Sequence, residues 1–390
     1  MKLLIYLLFP TYLLASYQAV CVVPVAEMTG QAFTKPTAYN AMAWDYVNPA
    51  TACPRLDQLL FHEVVTVLQE ENGQLCIRVP ERIYQPATER GIFWLPKNAL
   101  RAIRPEWRNK IPRYNRATEQ FYNAVVTLQK PWRHATTGTT YSAGTHFVLC
   151  QQQPTNNDTT AVWCYNQQTR QPTCITVPTE YLLHQKKRTV SQQRRLLIAI
   201  ARQWITEQGF IPYVSGGCSY TERMPELRWK NERSNLEEPY GGTVRILVDA
   251  AGNPLPYPVK IGCDCSGLIR QLARIAGIPL YAKNSIAMLQ MLQQLRPTDT
   301  LQEGDIIYIK GHVMLVADRH QGTLIEARGR LHGYGYIQEI PLQEEFAGIT
   351  SYAQLEEHYQ NNIPVKRINR AGQPVGTYTV TLLKLCTREQ

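Results

Sequence analysis

A chain of 390 residues, 44% hydrophobic and 18% charged, is not a disordered polymer and is long enough for two or three domains with cores of their own. Its formal charge of +10 suggests an anionic partner. Apart from Arg101, Arg104, Arg108, Lys110, Arg113 and Arg116, and the run 186–188, the basic residues are scattered. Nucleic acid is therefore discounted in favour of an envelope polymer, a membrane surface, or a merely solvated basic face.

The chain opens with Lys2 and an apolar run over 3–15, with small residues at Ala15, Ser16 and Ala19. That pattern reads as a secretory leader over residues 1–19, and places the protein outside the cytoplasm, periplasmic or extracellular. A buried N-terminal helix is the other reading. Cys21 raises the question of lipid anchoring, but Val20 before it is not the small residue a lipobox wants. Residues 44–104 read as a small β-barrel. A strand over 58–68 meets a turn at 70–73, the run 75–79 returns as its hairpin partner, and 91–96 closes the unit. The strand beginning Gln58-Leu59-Leu60 and the later Gly91-Ile92-Phe93-Trp94 resemble those of bacterial SH3-like domains.

Residues 105–120, basic and carrying Pro105 and Pro112, read as a linker. Short strands over 124–128, 145–149, 161–164 and 174–177 suggest a second such barrel over 121–185. An amphipathic helix follows over 189–208, with Ser191 as a possible cap and Gly209 as a possible stop. Between Cys218 and Cys263 the strand 244–248, a turn at 251–253 and the run 255–260 read as an inserted hairpin, either a rim of the site or a surface elaboration.

Cys265 precedes a helical stripe of Leu268, Ile269, Leu272, Ile275 and Ala276, with Gly277 as its stop. A cysteine at a helix N-terminus meets unpaired N–H groups that favour a thiolate, the nucleophile of acyl transfer. The competing reading is a buried or disulfide-bonded cysteine. Downstream, 306–309, 312–317 and 323–327 form a three-strand meander. His312 opens its middle strand and Glu326 lies on the next. A helix-borne Cys, a strand-borne His and a polar neighbour supply nucleophile, base and orienter.

Asp264-Cys265-Ser266-Gly267, Gly304-Asp305, Gly311-His312-Val313 and the upstream Tyr213-Val214-Ser215-Gly216-Gly217 resemble the NlpC-type family of bacterial cell-wall cysteine peptidases. The resemblance covers about residues 190–345. It implies an α+β chain in which a papain-like catalytic domain, 190–390, follows one or two SH3-like barrels. It implies Cys265 as nucleophile and His312 as base. The family's third residue is usually His, sometimes Asn or Gln, where this chain has Glu326, and His332 is the fallback. The implied substrate is the peptidoglycan stem peptide, cut between γ-D-glutamate and a diamino acid, with Asp264 and Ser266 holding a free amine and Tyr213 beside them. Helix capping is the alternative role for Asp264 and Ser266. An amidase or acyltransferase on the same chemistry, and an inactive wall-binding protein, remain open.

No Cys-x-x-Cys or His-rich spacing points to a metal, and no cofactor is expected. With export, the ten cysteines imply disulfides: Cys53 with Cys76, Cys150 with Cys164 or Cys174, or Cys218 with Cys263. The last strands are expected over 334–340, 364–368 and 377–385.

Overall fold

A computed structural model of the chain describes residues 16–34, 55–85, 91–151, 158–207, 210–221, 228–233, 243–248, 261–296, 298–329 and 335–385. The first unit comprises β1 (Tyr17–Cys21), β2 (Val25–Thr29), β3 (Arg55–Leu60), β4 (Val64–Glu71), β5 (Gln74–Arg78), β6 (Ile92–Pro96) and β7 (Leu100–Ala102). They form one antiparallel sheet in the order β3-β2-β6-β5-β4-β1-β7. Among the described residues β3 and β7 do not pair, so the sheet is open where a closed barrel was expected. Asn72 and Gly73, at φ 48° and 73°, make the tight turn that joins β4 to β5.

Three expectations change here. The strand expected over 58–68 breaks at His62, whose φ of 67° turns the chain between β3 and β4. The unit starts at Tyr17 rather than at 44. Consequently Tyr17, Gln18 and Ala19, which a leader over 1–19 would remove, pair with Val67, Thr66 and Val65. Cys21 is fully buried, with its sulfur on the Val23 carbonyl at 3.3 Å, so an acyl chain there would have to displace core. Residues 1–15 and Cys53 lie outside the described residues.

The second unit contains β8 (Tyr114–Asn115), β9 (Gln120–Phe121), β10 (Val125–Leu128), β11 (Trp132–Arg133), β12 (Thr140–Tyr141), β13 (His146–Leu149), β14 (Thr159–Asn166), β15 (Gln171–Pro178) and β16 (Leu182–His184). Its main sheet runs β15-β14-β13-β10-β16, and the four expected strands all lie in it. The stretch read as a linker is packed instead. Trp107 and Ile111 enter the core with Val126, Phe147 and Val162, and the Trp107 indole N–H donates to Gln171 at 2.9 Å. Val20, Val22 and Phe61 of the first unit share that core, so the two units bury apolar surface against each other. Cys150 pairs with Cys174 in a disulfide, one of the two partners left open by spacing.

The third unit holds α1 (Val190–Thr206), β17 (Cys218–Ser219), β18 (Arg228–Arg233), β19 (Thr243–Val248), β20 (Gly262–Cys263), α2 (Cys265–Ala276), α3 (Ser285–Met291) and β21 (Gln293–Gln294). It continues with β22 (Ile306–Ile309), β23 (His312–Asp318), β24 (Thr323–Ala327), β25 (Ile337–Pro341), α4 (Leu342–Glu345), α5 (Tyr352–Gln360), β26 (Val365–Ile368), β27 (Pro374–Tyr378) and β28 (Thr381–Lys384). The central sheet runs β21-β28-β22-β23-β24-β25. Strand alternation splits its side chains between two cores. Val313, Leu315 and Ile325 pack with α1 and α2, whereas Met314, Val316 and Leu324 pack with Phe346, Tyr352 and Leu355.

Local chemistry moves several boundaries. Thr189 caps α1 in a reciprocal box with Gln192, a role expected of Ser191, and the helix ends at Thr206. The hairpin partner of 243–248 is the upstream 228–233, while 255–260 lies outside the described residues. Cys218 and Cys263 stand opposite each other across β17 and β20, yet both are free thiols rather than the expected disulfide. The last expected strand, 377–385, divides into β27 and β28.

Buried charge joins the first unit to α2. The fully buried Asp57 carboxylate accepts from Arg82 at 2.6 Å and Arg270 at 3.1 Å, with the Lys283 ammonium at 4.0 Å. Glu63 meets Arg82 at 2.6 Å and also Arg274. Burial alone would raise the Asp57 pKa, but Arg270, Arg82 and Lys283 together hold it below the usual carboxylate range. Removing one partner of such a cluster leaves uncompensated buried charge, which costs about 3–5 kcal/mol. Asp57→Ala should therefore lower the unfolding free energy by about that amount in urea titrations. Because the folded pKa is depressed, the Asp57 contribution is complete above the ordinary carboxylate pKa. It disappears as pH falls through the folded value.

Candidate active site

The helix that carries Cys265 begins where the sequence placed it. Asp264 is its N-cap, accepting from the Gly267 N–H at 2.5 Å and from the Ser266 hydroxyl at 3.0 Å. Gly277, at φ 78°, closes it in the left-handed conformation. The segment from Pro212 to Gly217 lies beneath that start. Val214 N–H donates to Cys263 O, Cys263 N–H to Pro212 O, and Asp264 N–H to Gly217 O, at 3.1–3.2 Å.

These backbones approach so closely that no side chain fits. A Cβ on Gly267 would stand 1.9 Å from the Gly217 carbonyl oxygen. Within an exposed helix, Gly→Ala gains about 0.5–1 kcal/mol. Here Gly267→Ala should instead lower the thermal midpoint, measured by calorimetry, because backbone on both sides must shift.

Cys265, at the start of α2, comes up to the N-terminal end of β23, where His312 stands. The Cys265 sulfur lies against the backbone N–H of Val313, the residue next to His312 on β23. Both side chains are buried, at 8% and 7% exposure. Burial pushes the Cys265 thiol up to about 12, with Asp264 adding to the rise, while the Val313 and Ser266 N–H groups and Lys283 oppose it. The expected thiolate stabilisation by the helix start is thus present but outweighed by desolvation. Burial, then Arg367 and Arg328, hold the His312 imidazole well below its usual range. Both shifts favour the neutral thiol and the neutral imidazole. Alkylation of Cys265 by iodoacetamide, followed by peptide mass analysis, should keep accelerating from pH 8 to pH 10. A plateau below pH 8 would mark a preformed thiolate.

Glu326 stands on the strand beside that of His312, with Oε2 2.7 Å from His312 Nε2. Gln338 on β25 donates to its Oε1 at 3.2 Å. Two guanidiniums complete its surroundings: Arg367 of β26 at 3.4 Å and Arg328 at 3.9 Å. Both also bind Glu345 of α4, at 2.5 and 2.7 Å. The donor atoms of His312, Glu326 and Glu345 lie within 4.8 Å of one another, close enough in principle to hold a cation. Arg328 and Arg367 already supply the two positive charges that balance the two carboxylates, so a divalent ion does not suit this group. His332 lies outside the described residues.

The residues expected to bind substrate have protein partners. Besides capping α2, Asp264 places its Oδ2 3.1 Å from the buried Lys283 ammonium. Ser266 is buried and bonded to Asp264. Tyr213 is half-buried, its N–H on the Gly335 carbonyl at 2.8 Å.

Sequence reading missed Lys283, Arg328, Glu345 and Arg367. Arg328 had a signal, since two residues after Glu326 it falls on the same strand face. Glu345 and Arg367 arrive from elements whose pairing the sequence left open. Asp305, part of the motif that prompted the family resemblance, touches no reacting group. It pairs with Arg194 at 2.7 Å and ties α1 to the sheet.

No family model and no curated protein sequence matches this chain. Among solved structures, an NlpC/P60 family protein from Bacillus cereus ATCC 10987 superposes with a TM-score of 0.54 at 15% identity, covering 83% of this chain and 94% of that one. NlpC1 from Trichomonas vaginalis gives 0.31 at 14% identity, over 96% and 94%. The peptidoglycan hydrolase RipB from Mycobacterium tuberculosis gives 0.25 at 17%, over 51% and 67%. The Bacillus likeness extends well beyond the third unit, and on it the chain carries an NlpC/P60-type fold.

Proposed function

We propose that this chain is a cysteine hydrolase of peptidoglycan stem peptides, acting between γ-D-glutamate and a diamino acid. The observation that supports this most is the His312–Glu326 contact of 2.7 Å, at the end of β23 where the Val313 N–H meets Cys265. With Nε2–H donated to Glu326, His312 presents Nδ1 as the base. As both groups rest neutral, the proton passes from Cys265 to Nδ1 during attack on the amide carbonyl, not before it. The carbonyl oxygen takes the negative charge, and the Cys265 N–H at the α2 start is a donor placed for it. His312 then protonates the leaving amine, and water, deprotonated by the same imidazole, cleaves the thioester.

Tyr213 and Ser266 are kept as substrate-binding residues in this reading, and Asp264 would meet a substrate amine only in competition with Lys283. Bacterial envelope chemistry fits an exported protein, periplasmic or extracellular. No helix among the described residues is long and apolar enough to cross a membrane. A second reading, a wall-binding protein with a silent site, is favoured by the burial and raised pKa of Cys265. An amidase or acyltransferase would instead use the same residues on another carbonyl.

Digestion of purified muropeptides with mass analysis of the products separates these readings. An endopeptidase splits the peptide, an amidase frees it from sugar, and an acyltransferase joins its acyl fragment to an added amine. Cys265→Ala should remove turnover with the fold intact; cleavage retained by that variant would sink the cysteine mechanism. Glu326→Gln, still a hydrogen-bond acceptor, should reduce kcat about tenfold, and Glu326→Ala by about a hundredfold or more. Parental rates in both Glu326 variants, with a large loss in His332→Ala, would transfer the third role to His332.

A further inference from the structure

We infer that Arg367 is a positioning residue for the catalytic histidine: reaching in from β26, it fixes the Glu326 carboxylate as the acceptor of the His312 Nε2–H. The inference rests on the cysteine-hydrolase reading of the site. Glu326 is 1% exposed, and burying a carboxylate is costly unless opposite charge lies beside it. Arg367 lies against the same oxygen, Oε2, that faces His312. Its own place is over-determined. Nε binds Glu345 at 2.5 Å, and its backbone bridges Phe346, the residue that ends α4. Arg328 holds the other oxygen of Glu345 at 2.7 Å and donates to the Ile368 carbonyl at 2.5 Å, which locks β26 against β24.

The four groups form an alternating ring of charge, two carboxylates and two guanidiniums, all buried. A His, Asn or Gln in place of Glu326 would bring no charge and need no such ring. The ring is therefore what an acidic orienter demands. A second effect follows from the same geometry. The groups acting on His312 are Glu326 and Arg328 from the neighbouring strand and its end, Glu345 from α4, Arg367 from β26, and Asp264 from the α2 start. Of these, the two guanidiniums oppose imidazole protonation. Arg367 thus holds the orienter in place and helps keep the base unprotonated.

A double-mutant cycle tests this. Arg367→Met alone should lower kcat about tenfold with KM within twofold, the scale of losing an orienting partner. In a Glu326→Gln background, where the orienter carries no charge for the guanidinium to hold, the same change should cost less than twofold in kcat. An equal loss in both backgrounds would mean a purely structural Arg367 and overturn the inference. If Arg367→Met does not fold, Arg367→Lys, which keeps the charge but not the fork, is carried through the same cycle with the same criterion. A substrate-free readout runs in parallel: the His312 ring followed by nitrogen-15 NMR against pH. Removing the guanidinium should let the ring protonate at higher pH, and an unchanged titration would overturn the inference. Should the parent and Cys265→Ala both leave muropeptides intact, the hydrolase reading fails while the ring titration still decides the role of Arg367.

Discussion

Asp57 is the fixed point of this molecule. It is a carboxylate from the first unit, fully buried, with Arg82 of its own unit and Arg270 and Lys283 of the third unit around it. Each cation there would be costly without it, and the carboxylate would be costly without them. The consequence reaches Cys265. Arg270 lies on α2, five residues after Cys265. Lys283 holds Asp264, the cap of that helix, and its backbone is bonded to Ile83 of the first unit at 2.9 Å. The position of the Cys265 sulfur is thus set from outside the unit that carries it. The N-terminal sheet is a structural part of the site, not a tethered accessory.

The site is built from two opposite electrostatic solutions. On the α2 side, one carboxylate, Asp264, is neutralised by one lysine and two hydrogen bonds, and its residual field raises the Cys265 thiol further. On the far side of β23 and β24, two carboxylates and two guanidiniums cancel, and the guanidiniums lower the His312 imidazole. Both arrangements favour the neutral forms of thiol and base. On the proposed mechanism, an environment of this kind would place the charge-separating step within the reaction itself, with the α2 N–H groups there to receive the charge on a bound carbonyl.

What was legible in the sequence follows the range of the interactions that determine it. Local signals read well. The cap at Asp264, the stop at Gly277, the Asn72-Gly73 hairpin and the three-strand meander each depend on a few consecutive residues. The adjacency of His312 and Glu326 was also accessible, because a short turn fixes which strands neighbour. The 105–120 stretch misled because its prolines and charges read as linker. Trp107 and Ile111 find their core only after strands more than a dozen residues away have assembled. The break at His62 was not read for a related reason: the left-handed turn there goes with contacts made only in the fold, Glu63 accepting from the Leu60 N–H at 2.6 Å and the His62 N–H donating to the Cys21 carbonyl at 2.9 Å. The cysteine pattern was read for disulfides, and the Cys218–Cys263 pair shows its limit. Facing positions on adjacent strands bring two thiols near without joining them, and Arg270 donates to the Cys218 sulfur at 3.0 Å instead.

The same reasoning explains why Glu326 could be seen as a departure while its support could not. One residue within a strand motif is a local observation. The ring that makes an acidic residue tolerable there draws on α4 and β26, and no periodicity links them to position 326. An acidic orienter surrounded by neutral groups would have to lose its charge or leave the interior. Its presence implies compensating cations somewhere in the fold, and Arg328, two residues along the same strand face, could have been named from that constraint alone. The partner nearest the His312-facing oxygen could not, because only the return of the chain through α5 brings Arg367 to it.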